Sequence, residues 1–173
     1  MNDAQLCAAL ASLRRGELTA FEEIYTQLNT PLFTVILRIT RDRALAEDIL
    51  QEVFLKLYQS PPGPDVKKPR AYLFQTARNL ALDALRRRPR ELDLDSLPDL
   101  PQTGGSDPAQ RLDLERALAA LPLEERQLVV LHLNGGLKFR ELALITGTPL
   151  GTVLWRYRKA LAALRVLLNG GSL

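Results

Sequence analysis

The chain has a single cysteine, Cys7, so it cannot close an internal disulfide, which fits a reducing compartment. With one histidine, His132, it also lacks the donor set of the usual structural zinc site, and no metal is expected. No apolar run approaches the roughly 20 residues that cross a bilayer. The N-terminus "MNDAQLCAALASLRRGELTAFEE" lacks the basic start and unbroken apolar stretch of a secretory signal. These absences point to a soluble, cytoplasmic protein. No P-loop or dinucleotide glycine fingerprint occurs, and no carboxylate pair sits beside a convincing nucleophile or base. Catalysis, a cofactor and a small-molecule substrate are therefore not expected. Asp42, Glu47 and Asp48 could in principle hold a metal, but helix N-terminal charge and partner docking account for them more simply. β-Branched alternation is scarce, so strands are not expected.

What remains is ordinary for a globular chain of 173 residues: 46% hydrophobic and 25% charged. The net charge of +3 conceals a strong pattern. Residues 67–90 carry eight Lys/Arg and one Asp, residues 91–115 seven acids and one Arg, and residues 138–165 six Lys/Arg and one Glu. Two basic blocks around an acidic connector point to two contacts with a polyanion.

Helical periodicity runs through most of the chain. Helices are expected over 3–14, over 19–28 with Thr19 and Glu22 as a capping box, and over 32–40 after Pro31. Others are expected over 44–58, stopped by "SPPGP", and from 69 or 70 to 88. The segment "PRELDLDSLPDLPQTGGSDP" reads as an exposed linker. Helices resume over 108–121, 123–135, 139–146 and 149–168, and "NGGSL" closes the last. The fold class is all-α: a helical domain over 1–89, an acidic linker over 90–108 and a second helical domain over 109–173.

In "FRELALITGTPLGTVLWRYRKALAALR", Gly147 stands where a tight turn needs a left-handed residue. Thr148 can cap the next helix, with Pro149 at its first position. A short glycine turn before a capped second helix is the helix-turn-helix pattern. Val153, Tyr157, Ala160, Leu161, Leu164 and Leu168 share one face of that helix, expected to pack on Leu142, Ala143 and Ile145. The outer face carries Gly151, Thr152, Trp155, Arg156, Arg158 and Lys159. Cations at a helix N-terminus suit phosphate, and Arg can fork onto a guanine edge. The same face also reads as an ordinary solvated basic surface, and Trp155 suits either a sugar-phosphate surface or packing on a neighbouring helix.

"LPLEERQLVVLHLNGGLKFRELALITGTPLGTVLWRYRKALAALR" resembles region 4 of the extracytoplasmic-function sigma factors, within the sigma-70 family. The Gly-Thr-Val after a Pro, with Arg156 three residues beyond Val153, carries much of the likeness. The resemblance implies that this helix reads the minus-35 promoter element. Leu154 departs from the Lys or other polar residue usual there, so a contact made by that cation is not carried over.

The other half is similar to region 2 of the same family. "AFEEIYTQLNTPLFTVILRITRDRALAEDILQEVFLKLYQ" resembles its first part and "KPRAYLFQTARNLALDALRRR" its second. On the 44–58 helix, Leu45, Ile49, Leu50, Val53, Phe54 and Leu57 form the apolar arc, while Asp48, Gln51, Glu52 and Gln59 surround Leu55 opposite. From the helical wheel alone, Leu55 reads better as an isolated exposed leucine, which is normal on any protein, than as a docking spot. The resemblance implies that this face docks on the beta-prime clamp of core RNA polymerase, and that the protein also has the beta flap of the polymerase as a partner. On the following helix Leu73, Phe74, Ala77, Leu80, Ala81, Ala84 and Leu85 face inward. Tyr72, Gln75, Asn79 and Arg86 face outward, flanked by Arg78, Arg87 and Arg88, with Lys67 and Lys68 in the loop before. Cations, amides and an aromatic suit opening DNA, by neutralising phosphates and stacking on bases. The bland reading is a solvated basic helix whose last arginines complement its dipole. The resemblance implies minus-10 recognition, with a flipped base captured by the loop before the helix.

The resemblance further implies promoter DNA and core polymerase as partners, and an anti-sigma protein as inhibitor. It places the connector, with Asp93, Asp95 and Asp99, in polymerase channels, where its acidity could mimic nucleic acid. The rival readings are a stand-alone helix-turn-helix regulator and a helical adaptor with no DNA role.

Overall fold

The computed structural model describes residues 1–88, 105 and 107–170; the connector with Asp93, Asp95 and Asp99, and residues 171–173, lie outside the described residues. Among those described there are eight helices and no strand, as the all-α expectation requires.

Polar groups at the helix starts explain several boundaries. Asn2 opens α1 (Asp3–Arg14): its side chain accepts from Gln5 N at 2.8 Å while Gln5 Oε1 accepts from Asn2 N at 2.9 Å, a reciprocal capping box. Asp42 opens α3 (Arg43–Gln59), accepting from Leu45 N at 3.0 Å. That bond, with the Arg88 guanidinium paired to the carboxylate, holds the Asp42 carboxyl below its ordinary value of 3.8. Asp42 is thus a helix cap. Asp107 accepts from Ala109 N at 3.3 Å at the start of α5 (Pro108–Ala120).

One expectation is corrected. The two helices expected over 19–28 and 32–40 are a single helix, α2 (Leu18–Thr40), with Pro31 inside it and no side-chain cap at its start. Proline interrupts a helix by removing one N–H and crowding the carbonyl four residues back. Here the apolar stripe continues through it: Leu28, Leu32, Val35 and Ile36 are all fully buried. Packing on both sides of Pro31 outweighs the local penalty. The Thr19–Glu22 box falls inside the first turns of this helix.

α2 is the central element. α1, α3 and α4 (Pro69–Arg87) pack on it, and so do α5 and α6 (Leu123–Leu133) from the second half. One apolar cluster therefore runs across both halves, joining Ile24, Leu28, Phe74 and Ala77 to Leu131, Leu137, Leu142 and Val153. A smaller cluster of Leu118, Leu121, Val129, Ala160 and Leu164 ties α5 and α6 to α8 (Leu150–Gly170).

Four arginines stitch the same seam. Arg38 donates to Glu115 at 2.6 Å and to Asn134 at 2.7 Å. Arg70 Nε donates to the Gly135 carbonyl at 2.7 Å. Arg78 donates to Gln127 Oε1 at 2.6 Å and to the Ile145 carbonyl at 3.4 Å. Arg126 donates to the carbonyls of Leu121 and Ile39 at 3.1 and 3.3 Å, serving the C-terminal ends of α5 and α2 together. Burial pushes the Arg126 guanidinium down to about 10, still charged at neutral pH. The α6–α7 turn, Asn134 to Gly136, is thus seated on the first half. At Gly135 a Cβ would meet the Leu131 carbonyl at 2.5 Å and Phe74 at 3.3 Å.

Candidate nucleic-acid and partner interfaces

The second half ends in α7 (Phe139–Thr146), a turn and α8. Gly147 closes α7 in the left-handed region, at φ 62, as the sequence requires. Helix α8 begins one residue later than expected, and the Pro149 carbonyl accepts from Val153 N at 3.0 Å. The Thr148 hydroxyl donates to the Thr146 carbonyl at 3.3 Å. Val153, Ala160 and Leu164 are buried and Tyr157 is half-buried, while Leu161 and Leu168 are 39% and 38% exposed. The inward face is therefore narrower than the wheel gave: Leu161 lies beside the buried stripe of Val153, Ala160 and Leu164, and Leu168 lies beyond Leu164, the last buried residue of α8.

The six outward residues stay together. Gly151, Trp155, Arg158 and Lys159 are exposed, and Thr152 and Arg156 are half-buried. Trp155 is 59% exposed with the Lys159 ammonium 5.3 Å above its ring, so it is not a core residue. Two of the cations already hold carboxylates from α6: Arg156 pairs with Glu124 at 3.4 Å and Lys159 with Glu125 at 3.2 Å. A phosphate at this surface would exchange with those acids. Beneath the face, His132 stacks on Phe139 at 4.3 Å, and its Nδ1 lies 2.7 Å from the Leu137 carbonyl.

In the first half, Lys67, Lys68, Tyr72, Asn79, Arg86 and Arg87 are exposed and Gln75 is half-buried. Arg86 pairs with Asp83 at 3.3 Å, and Lys68 lies 3.8 Å from Asp3. Arg78 stands apart from this group. Its guanidinium turns into the seam between the halves, and burial lowers its pKa. It lines a small cavity of about 120 Å³ together with Gln127, Thr146, Thr148 and Arg156. One residue from each expected DNA surface therefore faces the other across a gap. A second cavity, about 210 Å³, opens between the end of α3, the 60–68 loop and the first turns of α4. Tyr72, Leu73 and Thr76 form one wall, Val53 and Leu57 another, with Gln59, Ser60 and Pro62 from the loop side.

On α3, Asp48, Gln51, Glu52 and Leu55 are all exposed, and Leu55 at 54% is the apolar centre of an acid- and amide-bearing face. The sequence reading missed its surroundings. Tyr58 and Tyr25 are 50% and 43% exposed and join Phe21 and Phe54 in one aromatic group, with Tyr25 and Phe54 centroids 4.7 Å apart. Tyr58 lies three residues beyond Leu55, and that helical spacing was the available signal.

The described residues thus present a helix-turn-helix half, a second basic helix beside a cavity, and an exposed leucine among acids. Sigma-70 region 2 matches residues 24–91, and Sigma-70 region 4 matches residues 111–164. The chain is 30% identical to the ECF RNA polymerase sigma factor SigM of Bacillus subtilis over 152 residues, 83% of this chain and 93% of that one. It is 31% identical to SigL of Mycobacterium tuberculosis over 171 residues, 94% of this chain and 96% of that one. Among solved structures it resembles the sigma factor RpoE from Bartonella quintana, bound to the anti-sigma factor NepR, with TM-score 0.70 and 25% identity over 86% of this chain and 96% of that one. The fold is shared with CnrH bound to the cytosolic domain of CnrY, at TM-score 0.72 and 23% identity over 96% and 98%. The chain belongs to the ECF RNA polymerase sigma factors, which are transcription initiation factors.

Proposed function

We propose that α3 docks this sigma factor on core RNA polymerase through Asp48, Gln51, Glu52 and Leu55, with Tyr25 and Tyr58 enlarging the apolar centre. An exposed leucine bordered by aromatics and ringed by acids suits a basic helical partner. Helix α4 and the loop before it take the minus-10 element: Lys67, Lys68, Arg86 and Arg87 lie along phosphates, and Gln75 and Asn79 are open to bases. The cavity beside Tyr72 receives an unstacked base, since its mixed apolar and amide lining fits a flat heterocycle. Gly151, Thr152, Trp155, Arg156, Arg158 and Lys159 of α8 take the minus-35 element. The chain performs no catalysis itself, acts in the cytoplasm, and is inhibited by an anti-sigma protein, as RpoE is bound by NepR.

One observation carries the reading: two separate cation-bearing helices, each with an exposed aromatic, in a chain of this family. It has a geometric consequence. The two promoter elements are separate stretches of one duplex, which rises about 3.4 Å per base pair. In the free chain Arg78 of α4 lies 3.4 Å from the Ile145 carbonyl of α7. The halves must part before both elements are engaged. Residues 89–107 reach at most about 65 Å when extended, which leaves the two halves room to separate. Two weak contacts then become one strong, spacing-dependent contact on the polymerase.

The test is run-off transcription with sigma-free core polymerase and promoter fragments from the chain's own genome. Start sites sharing two motifs at fixed spacing support the reading. Specific DNA binding without core, and no core-dependent transcript, would replace it with an operator-binding regulator.

A further inference from the structure

The 60–68 loop walls the base-sized cavity yet has little to hold itself in shape. It contains three prolines and a glycine, and its one internal backbone hydrogen bond runs from Val66 N to the Gly63 carbonyl at 3.1 Å. Helix α4, which supplies the opposite wall, begins without a cap of its own, because Lys68 offers no side-chain acceptor.

Both deficits are met by α1. Arg14, in its last turn, donates from its guanidinium to the carbonyl of Pro62, 48 residues away and buried in the loop. Asp3, in its first turn, accepts from Arg70 N at 3.1 Å, supplying the missing cap of α4 from another helix, and lies 3.8 Å from the Lys68 ammonium. The helix between these two residues is fixed by Leu6, Leu10 and Leu13, all buried. Arg14 is itself exposed and adds nothing to that core. The bond it makes in the structure beyond its own helix goes to a residue lining the cavity. Residues 3–14 also precede the region 2 match, which starts at residue 24.

We propose that α1 braces the base-capture cavity, with Arg14 and Asp3 as positioning residues that set the distance between the 60–68 loop and Tyr72. The proposal rests on the reading of that cavity as the site of an unstacked minus-10 base. Arg14 and Asp3 touch no DNA; they fix what does. Losing either leaves the core intact but lets the loop or the first turn of α4 drift, so that the cavity no longer distinguishes a base from an empty position.

The test uses holoenzyme and single-stranded minus-10 oligonucleotides, comparing each with its counterpart abasic at one position. For the wild-type protein the affinity ratio at the captured position is large. In Arg14→Ala and in Asp3→Ala that ratio falls about fivefold, the size of a lost cap expressed as an equilibrium ratio. Affinity for the abasic strand changes little, and the thermal midpoint of the free protein falls only by the few degrees that one lost cap costs. Arg14→Lys and Asp3→Asn, which can still donate and accept, recover most of the ratio. An undiminished ratio in both alanine variants, or a loss matched on the abasic strand, overturns the brace while leaving base capture standing. A wild-type protein with no base preference anywhere in the element overturns the capture reading itself.

Discussion

Arg38 of α2 and Glu115 of α5, 77 residues apart in sequence, meet at 2.6 Å with side chains only 13% and 9% exposed. The pair ties the two halves of the molecule at the edge of their shared apolar cluster. Removing one partner of a buried pair strands the other charge, typically at about 3 kcal/mol. Glu115→Ala is therefore expected to lower stability by that order in urea denaturation, and Glu115→Gln by less, since an amide still accepts from the guanidinium.

The same seam predicts a change of shape. With fluorophores at Ala44→Cys of α3 and Ala120→Cys of α5, both exposed, in a Cys7→Ser background, the free chain gives a short distance, because Arg126 bridges the nearby Ile39 and Ala119 carbonyls. That distance lengthens on addition of core polymerase. Glu115→Ala broadens the distribution of the free chain toward the long distance. An identical distance with and without core would mean that the halves do not part.

The Asp42 carboxylate makes the stability of α3 sensitive to acid. Its pKa is held below 3.8, first by the Leu45 backbone N–H. Its contribution is thus complete above that value and is lost as pH falls through the lower, folded one. Asp42→Asn keeps a capping oxygen and flattens this acid limb, whereas Asp42→Ala costs about 1 kcal/mol at neutral pH. Thermal midpoints across an acid pH series check both.

At the polymerase surface, Leu55→Ala is expected to weaken core binding by about 2 kcal/mol, some thirtyfold, without shifting the melting temperature, because the side chain is 54% exposed. Competition against a labelled sigma factor for core measures it.

On α8, Arg158 is exposed with no carboxylate paired to it among the described residues, while Arg156 is held by Glu124. Arg158→Ala should reduce the salt slope of promoter binding by about one. Glu124→Gln should strengthen that binding by freeing Arg156. Holoenzyme binding titrations at several salt concentrations separate the two.

Much of this molecule is written locally. The Gly147 turn, the bounds of α7 and the outward set on α8 follow from helical spacing and one left-handed glycine. The continuity of α2 does not, because Pro31 signals a break and only the burial of Leu28 and Leu32 on either side shows why none occurs. Arg78 shared the pattern of its exposed neighbours on α4, yet its partner Gln127 lies 49 residues away and leaves no periodic trace. The same holds for Asp3 and Arg14, whose partners are backbone groups, chemically alike at every position. Contacts between distant segments were the illegible part, and they set both the seam and the cavity wall.

The most direct measurement is core-dependent run-off transcription from one promoter whose spacer between the two elements is lengthened by about five base pairs, half a turn of B-DNA. Two helical modules held at a fixed distance by polymerase predict strong transcription from the native spacer and its loss on insertion, with α4 and α8 variants failing on both templates. Transcription indifferent to the spacer, or specific DNA protection by the chain without core polymerase, would contradict it.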